Sequence, residues 1–392
     1  MEHLNFKLKK TSFILSCCML MPTAMVSAAE AVPDPKAEKQ SPLVFEELIV
    51  TARKREESIQ DTPISISAYS GDSLEYRGVT NIGEIAPFTP NLSFQNNPSF
   101  GGASNSAAIY IRGVGQKEFL PTVDPGVGLY VDGVYVARSV GGIMDLIDVE
   151  RVEVLKGPQG TLFGRNTIGG AISITTKKPS EDVEGKIALT YGTDNRIDLM
   201  GSFNVPISDT VFSKFSLSSK TQDGYVIRDD GIDLGDDNSL SARAAFRILP
   251  RDDLEVNLAL EVSRDRENGP ALTLIGINHG NPVDPDTPPM ATIHNVGANL
   301  AAGGGPIPCA IPPMPLNLAV PGCYDDRYIY GDSRDSGTSP AFSDSDFWAA
   351  TLDLDWTLTD DISLNSITAY RNLDATFARD GDHSPFRVSQ FE

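Results

Sequence analysis

From about residue 183 onward, apolar and polar residues alternate in runs of about ten. Asp194–Val205 sets Ile197, Leu199, Phe203 and Val205 on one face, and Arg196, Asp198, Ser202 and Asn204 on the other. Leu240–Ile248 sets Leu240, Ala242, Ala244, Phe246 and Ile248 against Ser241, Arg243 and Arg247. Leu254–Val262 sets Leu254, Val256, Leu258, Leu260 and Val262 against Glu255, Asn257 and Glu261. A period of two over about ten residues is the pattern of a tilted strand that crosses a bilayer, apolar outward and polar inward. Lys186–Tyr191, Val211–Lys220, Phe347–Leu358 and Ile362–Asn372 are four further candidates, the last with a register shift near Ser366 and Ile367 that points to a bulge or a misplaced boundary. Taken singly, each run equally fits a soluble sandwich strand with one wet face. The connections favour the membrane reading. Pro206–Thr210, Pro250–Asp253 and Thr359–Asp361 are short, whereas Thr221–Ser239 and Asp265–Ser345 are long. Outer-membrane barrels alternate short periplasmic turns with longer outer loops in this way.

Residues 58–180 follow a different pattern, that of a compact α/β unit. Thr62–Ala68, Asn91–Gln95, Ala108–Arg112 and Gly128–Val136 read as strands, the last folded on itself by an Asp132-Gly133 hairpin turn. Gly71–Arg77 and Asn81–Ala86 read as short helices stopped by Gly78 and Pro87, and Ile143–Val149 as another short helix. Val152–Leu155 and Ala171–Thr176 are predicted to pair across glycines at 157, 160, 164, 169 and 170, residues suited to tight turns.

Ahead of this unit, Lys7, Lys9 and Lys10 precede the apolar run Phe13–Met21 and small residues at Ser27, Ala28 and Ala29. That is the layout of a secretory signal peptide over 1–29. Residues 30–57 begin as a Pro-, Lys- and Glu-rich linker without apolar period and end in a β-prone run near Phe45–Arg53. A strand-forming peptide on a flexible tether can add to another protein's open sheet edge.

Composition narrows the class. A formal net charge of -21 argues against a nucleic-acid partner, since phosphate binding needs a basic surface. No apolar run reaches the roughly 20 residues of a spanning helix, so membrane residence requires a barrel. Export places Cys309 and Cys323 in an oxidising compartment, where they are expected to form a disulfide closing a loop of about 15 residues, worth roughly 3 kcal/mol. The four histidines, His3, His279, His294 and His383, give poor support to a catalytic triad or metal site. Gly157–Gly164 lacks the Gly-Lys-Ser/Thr ending of a phosphate loop.

Three motifs carry a family resemblance. Glu150–Gly170 (ERVEVLKGPQGTLFGRNTIGG) and Ile111-Arg112-Gly113 resemble the plug of TonB-dependent outer-membrane receptors. Glu46, Glu47, Leu48, Ile49, Val50, Thr51 and Ala52 resemble that family's TonB box. The resemblance implies an α/β plug domain over 58–180 followed by antiparallel transmembrane β-barrel strands over 181–392. The family's barrels have about 22 strands. About seven are legible here, so the barrel is expected to be incomplete in this chain, an N-terminal part of the whole. The resemblance further implies energised uptake of a scarce nutrient, most often a ferric siderophore, with TonB in the periplasm and outer-membrane lipid as partners and no cofactor. Passive transport by a porin is the alternative within the transport class, and a secreted hydrolase the alternative among enzymes. Arg112, Glu150, Arg151 and Lys156 are the charged plug residues expected to meet the barrel wall, with Arg243, Arg247, Glu255 and Glu261 as inward partners.

Overall fold

The structure is a computed structural model that describes residues 49–51, 55, 57–96, 103–117, 123–143, 145, 146, 148–276, 326–381, 383, 390 and 391. Two short strands, β1 (Ile49–Val50) and β2 (Glu57–Ser58), pair antiparallel at its start. β3 (Ile66–Ser70) leads directly into α1 (Gly71–Tyr76), whose first turn is capped by Ser70 accepting from the Ser73 amide. A 3₁₀ helix at Ile82–Phe88 starts on a capping box between Asn81 and Glu84. β4 (Leu92–Asn96), β5 (Ala107–Ile111) and β6 (Val114–Gln116) form a small antiparallel sheet. β7 (Val127–Val131), β8 (Val134–Val136), β9 (Val149–Lys156) and β10 (Gly170–Thr176) complete the plug, with α2 (Gly160–Phe163) between the last two.

The main plug sheet has the order β3-β9-β10-β7-β8, and only β10 and β7 run parallel. Its middle strands are covered on both faces. Val152, Val154, Ile172 and Ile174 pack on one face with Leu74, Ile82, Ile85, Ile109 and Ile111. Leu155 and Ala171 pack on the other with Val50 and Tyr130. A strand buried on both sides loses strict alternation, which is why Val152–Leu155 reads as a nearly continuous apolar run. The Asp132-Gly133 hairpin has φ of 47° and 79°, both left-handed as a tight hairpin requires.

The remaining long strands make one antiparallel wall. They are β11 (Glu184–Tyr191), β12 (Ile197–Ser208), β13 (Val211–Gln222), β16 (Asp237–Arg251), β17 (Leu254–Glu267), β19 (Phe342–Thr359) and β20 (Ile362–Asp380). A two-residue β21 (Gln390–Phe391) extends the wall. Within the long connections, β14 (Val226–Arg228), β15 (Asp233–Leu234) and β18 (Arg334–Asp335) form a small separate sheet. All seven legible strands are present; six are longer than their patterns indicated, and β12 keeps the length of its pattern but lies three residues further along the chain.

The two faces of the wall differ as the alternation predicts. Ile187, Leu189, Leu199, Phe203, Leu217, Leu260 and Trp356 are exposed on the outer face. Asp198, Asn204, Lys214, Ser216, Ser218 and Lys220 are buried on the inner face. Aromatic residues mark both rims of the outer band. Trp348 stacks on Tyr370 at 5.0 Å near the long connections, and Arg251 lies 5.3 Å over Trp356 near the tight turns. The two tryptophans stand eight residues apart on β19, about 26 Å of strand, or about 20 Å across the bilayer once tilted. That approaches the apolar band of about 25 Å in such barrels.

Two expectations are corrected. No bulge occurs at Ser366 and Ile367. Pairing of β19 with β20 is continuous there and shifts only between Thr357 and Thr359. Ile367 breaks the outer apolar pattern because it faces inward, where it meets the plug at Gly133. The described residues of 143–149 form no helix either. Asp145 makes a lone antiparallel bridge to Asn81, Leu146 enters the core, and Asp148 has φ 55°. Tertiary contacts of those aspartates, set out below, outweigh local propensity.

A Cβ built on Gly133 falls 2.7 Å from Ile367 Cδ1. Gly133→Ala adds a left-handed penalty of about 1–2 kcal/mol to that clash. Plug proteolysis in the intact receptor should quicken, and Ile367→Ala should reverse only part of the effect, because it relieves the contact but not the backbone.

Candidate functional site: the inner face of the wall and the coupling peptide

Inward positions on β13 recur every second residue, so Lys214, Ser216, Ser218 and Lys220 form one polar row. The row meets the Asp145–Asp148 segment of the plug. Lys214 pairs with Asp148 at 2.8 Å, and Ser216 donates to the same carboxylate at 3.4 Å. Lys220 pairs with Asp145, and Ser218 donates to Asp145 at 3.4 Å. All four charged side chains are largely buried; Lys220 is 4% exposed and Asp145 15%. Removing one member of such a pair strands its partner's charge and costs about 3–5 kcal/mol.

On β16, Arg243 reaches Asp132 of the hairpin turn at 2.9 Å and Glu261 of β17 at 3.2 Å. Asp132 also accepts from the Thr176 amide and hydroxyl, both at 2.8 Å, which fixes the turn that presents it. Lys178 bonds Glu255 at 2.7 Å, and Arg247 braces the same carboxylate at 2.7 Å. Nearer the long connections, the Asn105 amide donates to Asp265 at 3.0 Å and to Ser345 at 2.9 Å. Thus β13, β16, β17 and β19 all hold the plug through polar inward positions.

The four plug charges singled out in the sequence are placed elsewhere. Arg112 donates to Ser65 at 3.0 Å and is exposed. Lys156 donates to Ser67 at 2.7 Å. Arg151 pairs with Glu150 at 2.5 Å and with Glu153 at 2.9 Å. These partners belong to the plug itself; among the described residues the plug–wall ion pairs run through Asp132, Asp145, Asp148 and Lys178, with an exposed pair of Glu75 and Lys186 at β11. On the wall side, Arg243 and Glu255 do meet plug groups, while Arg247 and Glu261 brace them. The aspartates were missed because their segment was read as a helix and a turn. The available signal was the row of inward lysines on β13, which requires buried carboxylates opposite.

Of the coupling-peptide residues, Ile49, Val50 and Thr51 are described, whereas Glu46, Glu47, Leu48 and Ala52 lie outside the described residues, as do Cys309 and Cys323. Val50 is buried against Tyr130, Leu155 and Ala171. Thr51 donates its amide to Glu153 at 2.8 Å. The peptide's end is thereby fastened to the plug sheet, with Ile49 half-exposed beyond it. Close by, burial pushes the Tyr130 hydroxyl up to about 12, with a further rise from Tyr135.

Between plug and wall lies a cavity of about 880 Å³, bordered by Tyr135, Arg138, Asp236, Asp265, Arg371 and Phe377 among others. Its mix of apolar, aromatic and charged walls suits a small polar ligand. Asp236, in the connection ahead of β16, has its carboxyl pushed up from 3.8 to about 6 by burial, against the lowering effect of the Asn268 amide.

The description "TonB-dependent Receptor Plug Domain" fits residues 58–171. The pesticin receptor of Yersinia pestis is 32% identical over 224 residues, 56% of this chain and 32% of that protein. The vitamin B12 transporter BtuB of Vibrio vulnificus is 25% identical over 182 residues, 46% of this chain and 29% of that protein. The chain thus spans about a third of the length of these relatives. The fold matches the ferric yersiniabactin uptake receptor FyuA from Yersinia pestis with a TM-score of 0.61 at 23% identity, over 81% of this chain and 42% of that one. It matches the ferripyoverdine receptor of the Pseudomonas aeruginosa outer membrane with a TM-score of 0.59 at 14% identity, over 84% and 37%.

Two measurements follow from this geometry. Arg243→Ala should speed proteolysis of the plug in the intact receptor, whereas Arg112→Ala, whose partner is Ser65, should leave it unchanged. Separately, Asp236 binds its proton more tightly folded than unfolded. Its segment is therefore most stable below about pH 4 and loses stability as pH rises through about 6. Hydrogen-exchange protection across residues 233–237, taken relative to the intrinsic exchange rate at each pH, should be higher at pH 5 than at pH 8, and Asp236→Asn should reduce the difference.

Proposed function

The chain belongs to the TonB-dependent outer-membrane receptors, and we propose that it serves energised uptake of a scarce nutrient, with a ferric siderophore as the favoured cargo. The observation that carries this reading is the fastening of Ile49–Thr51 to the plug sheet through Thr51 and Glu153. A peptide so placed can pass work done on it to the body that occupies the inner face of the wall. A passive porin has no use for such a link.

In this reading, residues 46–52 pair with a strand of TonB in the periplasm, by backbone hydrogen bonds along an open edge. The charged contacts along β13 and β16 hold the plug while the ligand sits in the cavity beside it. The siderophore assignment draws on the solved receptors of like fold, named for ferric yersiniabactin and ferripyoverdine. A vitamin B12 transporter stands among the relatives, so cobalamin is the rival cargo. Growth of a strain dependent on this receptor, on single defined ferric siderophores or on vitamin B12, separates the two. In the bilayer, the exposed edge of β11 and the exposed Ile362–Tyr370 stretch of β20 require partner strands.

Ile49→Pro removes an N–H from the strand that TonB would pair with. Uptake by the intact receptor should collapse while equilibrium ligand binding persists. Uptake at the parental rate would contradict the coupling role, and uptake surviving deletion of 45–52 would favour the porin.

A further inference from the structure

We propose that Glu153 is an anchor that passes traction on the coupling peptide straight into the middle of the plug sheet. The proposal rests on the coupling role of Ile49–Thr51 given above. Three donors converge on one oxygen of Glu153. They are the Thr51 amide at 2.8 Å, the Thr51 hydroxyl at 3.2 Å and the Arg151 Nε at 2.9 Å. A second Arg151 nitrogen closes the ring by donating to the Thr51 hydroxyl at 3.4 Å.

The side chain of Glu153 is fully buried, and its other oxygen has no hydrogen-bond partner. A carboxylate out of water with one oxygen unbonded depends all the more on the donors at the other. Charge-assisted bonds of this type are roughly twice as strong as neutral ones. The neighbouring Val50 side chain is buried with Tyr130, Leu155 and Ala171.

Topology then decides where a pull is felt. Glu153 lies in β9, between β3 and β10, with Ala68 and Ser173 as its cross-strand neighbours. Tension applied ahead of Ile49 reaches β9 through Thr51 and Glu153 before it can travel along residues 52–65 to β3. Those fourteen residues would span about 46–50 Å if fully extended. The anchor bypasses that length. It sets Thr51 as the limit of peptide that can be drawn out without straining the plug sheet.

The test is single-molecule extension of the intact receptor in outer-membrane patches, pulled from a handle ahead of Ile49. The parent should show a step that releases up to about 46–50 Å of contour length, less the distance already spanned between Thr51 and Ile66, when the anchor ruptures and before any plug strand leaves. Glu153→Gln keeps the volume and an acceptor oxygen but removes the charge. Thr51→Pro removes both Thr51 donors, amide and hydroxyl, without changing a residue of the plug sheet. Each should move this step to lower force, with spontaneous rupture about tenfold faster. A step at unchanged force in both variants, or no such step in the parent, overturns the anchor. No TonB is needed for this readout, so a lowered rupture force alongside undisturbed uptake in Ile49→Pro would uphold the anchor and sink the coupling role instead.

Discussion

The pairing of β13 lysines with Asp145 and Asp148 is the constraint on which the rest of the arrangement depends. A strand that faces lipid on one side must turn its polar residues to the other, and a lysine there needs a counter-charge once water is displaced. Lys214 and Lys220 are both largely buried, and the plug supplies a carboxylate to each. Wall and plug therefore need one another. Neither face is well solvated alone once the two meet, and each charge is costly if its partner is withdrawn. Arg243 and Glu255 extend the same logic to the neighbouring strands, in more exposed surroundings where each pair is worth less.

That dependence explains how the plug can be held firmly yet remain separable. The contact is mostly polar, with hydroxyl and carboxamide groups between the charges and apolar touches only where Ile367 and Leu373 meet Gly133 and Gly141. Water entering from the cavity beside it can replace protein partners one at a time, unlike an apolar interface that must part as a whole. The plug's own core is of the opposite kind. Val152, Val154, Ile172 and Ile111 are fully or almost fully buried. Its sheet should survive undocking, which leaves the fastening of Thr51 to β9 intact as the wall contacts yield.

Much of this was legible in the sequence because period two is a strong signal when one face meets lipid. All seven wall strands were found from it, and so was the Asp132-Gly133 hairpin. The failures have physical causes. Ile367 reads as a slip in the pattern because its inward site is apolar, filled by the plug at Gly133. The 143–149 stretch has helical spacing, yet its aspartates are drawn to lysines more than 60 residues away in the chain. Arg112, Glu150, Arg151 and Lys156 stand out as charges beside glycine turns, but charge alone does not tell whether the partner is near or remote. The role of Glu153 was hidden for a related reason. Within the run Val152–Leu155, a lone carboxylate looks like a solvent-facing position, and only the sheet order reveals that both faces are covered.

A charge exchange at Asp145 and Lys220 tests the central claim most directly. Asp145→Lys or Lys220→Asp alone sets like charges together in a buried site, and either should release the plug to protease in the intact receptor. The double exchange restores an opposite pair at the same place. Recovery of parental protease resistance in the double variant is the result predicted. Single variants as resistant as the parent, or a double variant no better than the worse single one, would contradict an interface organised by these pairs.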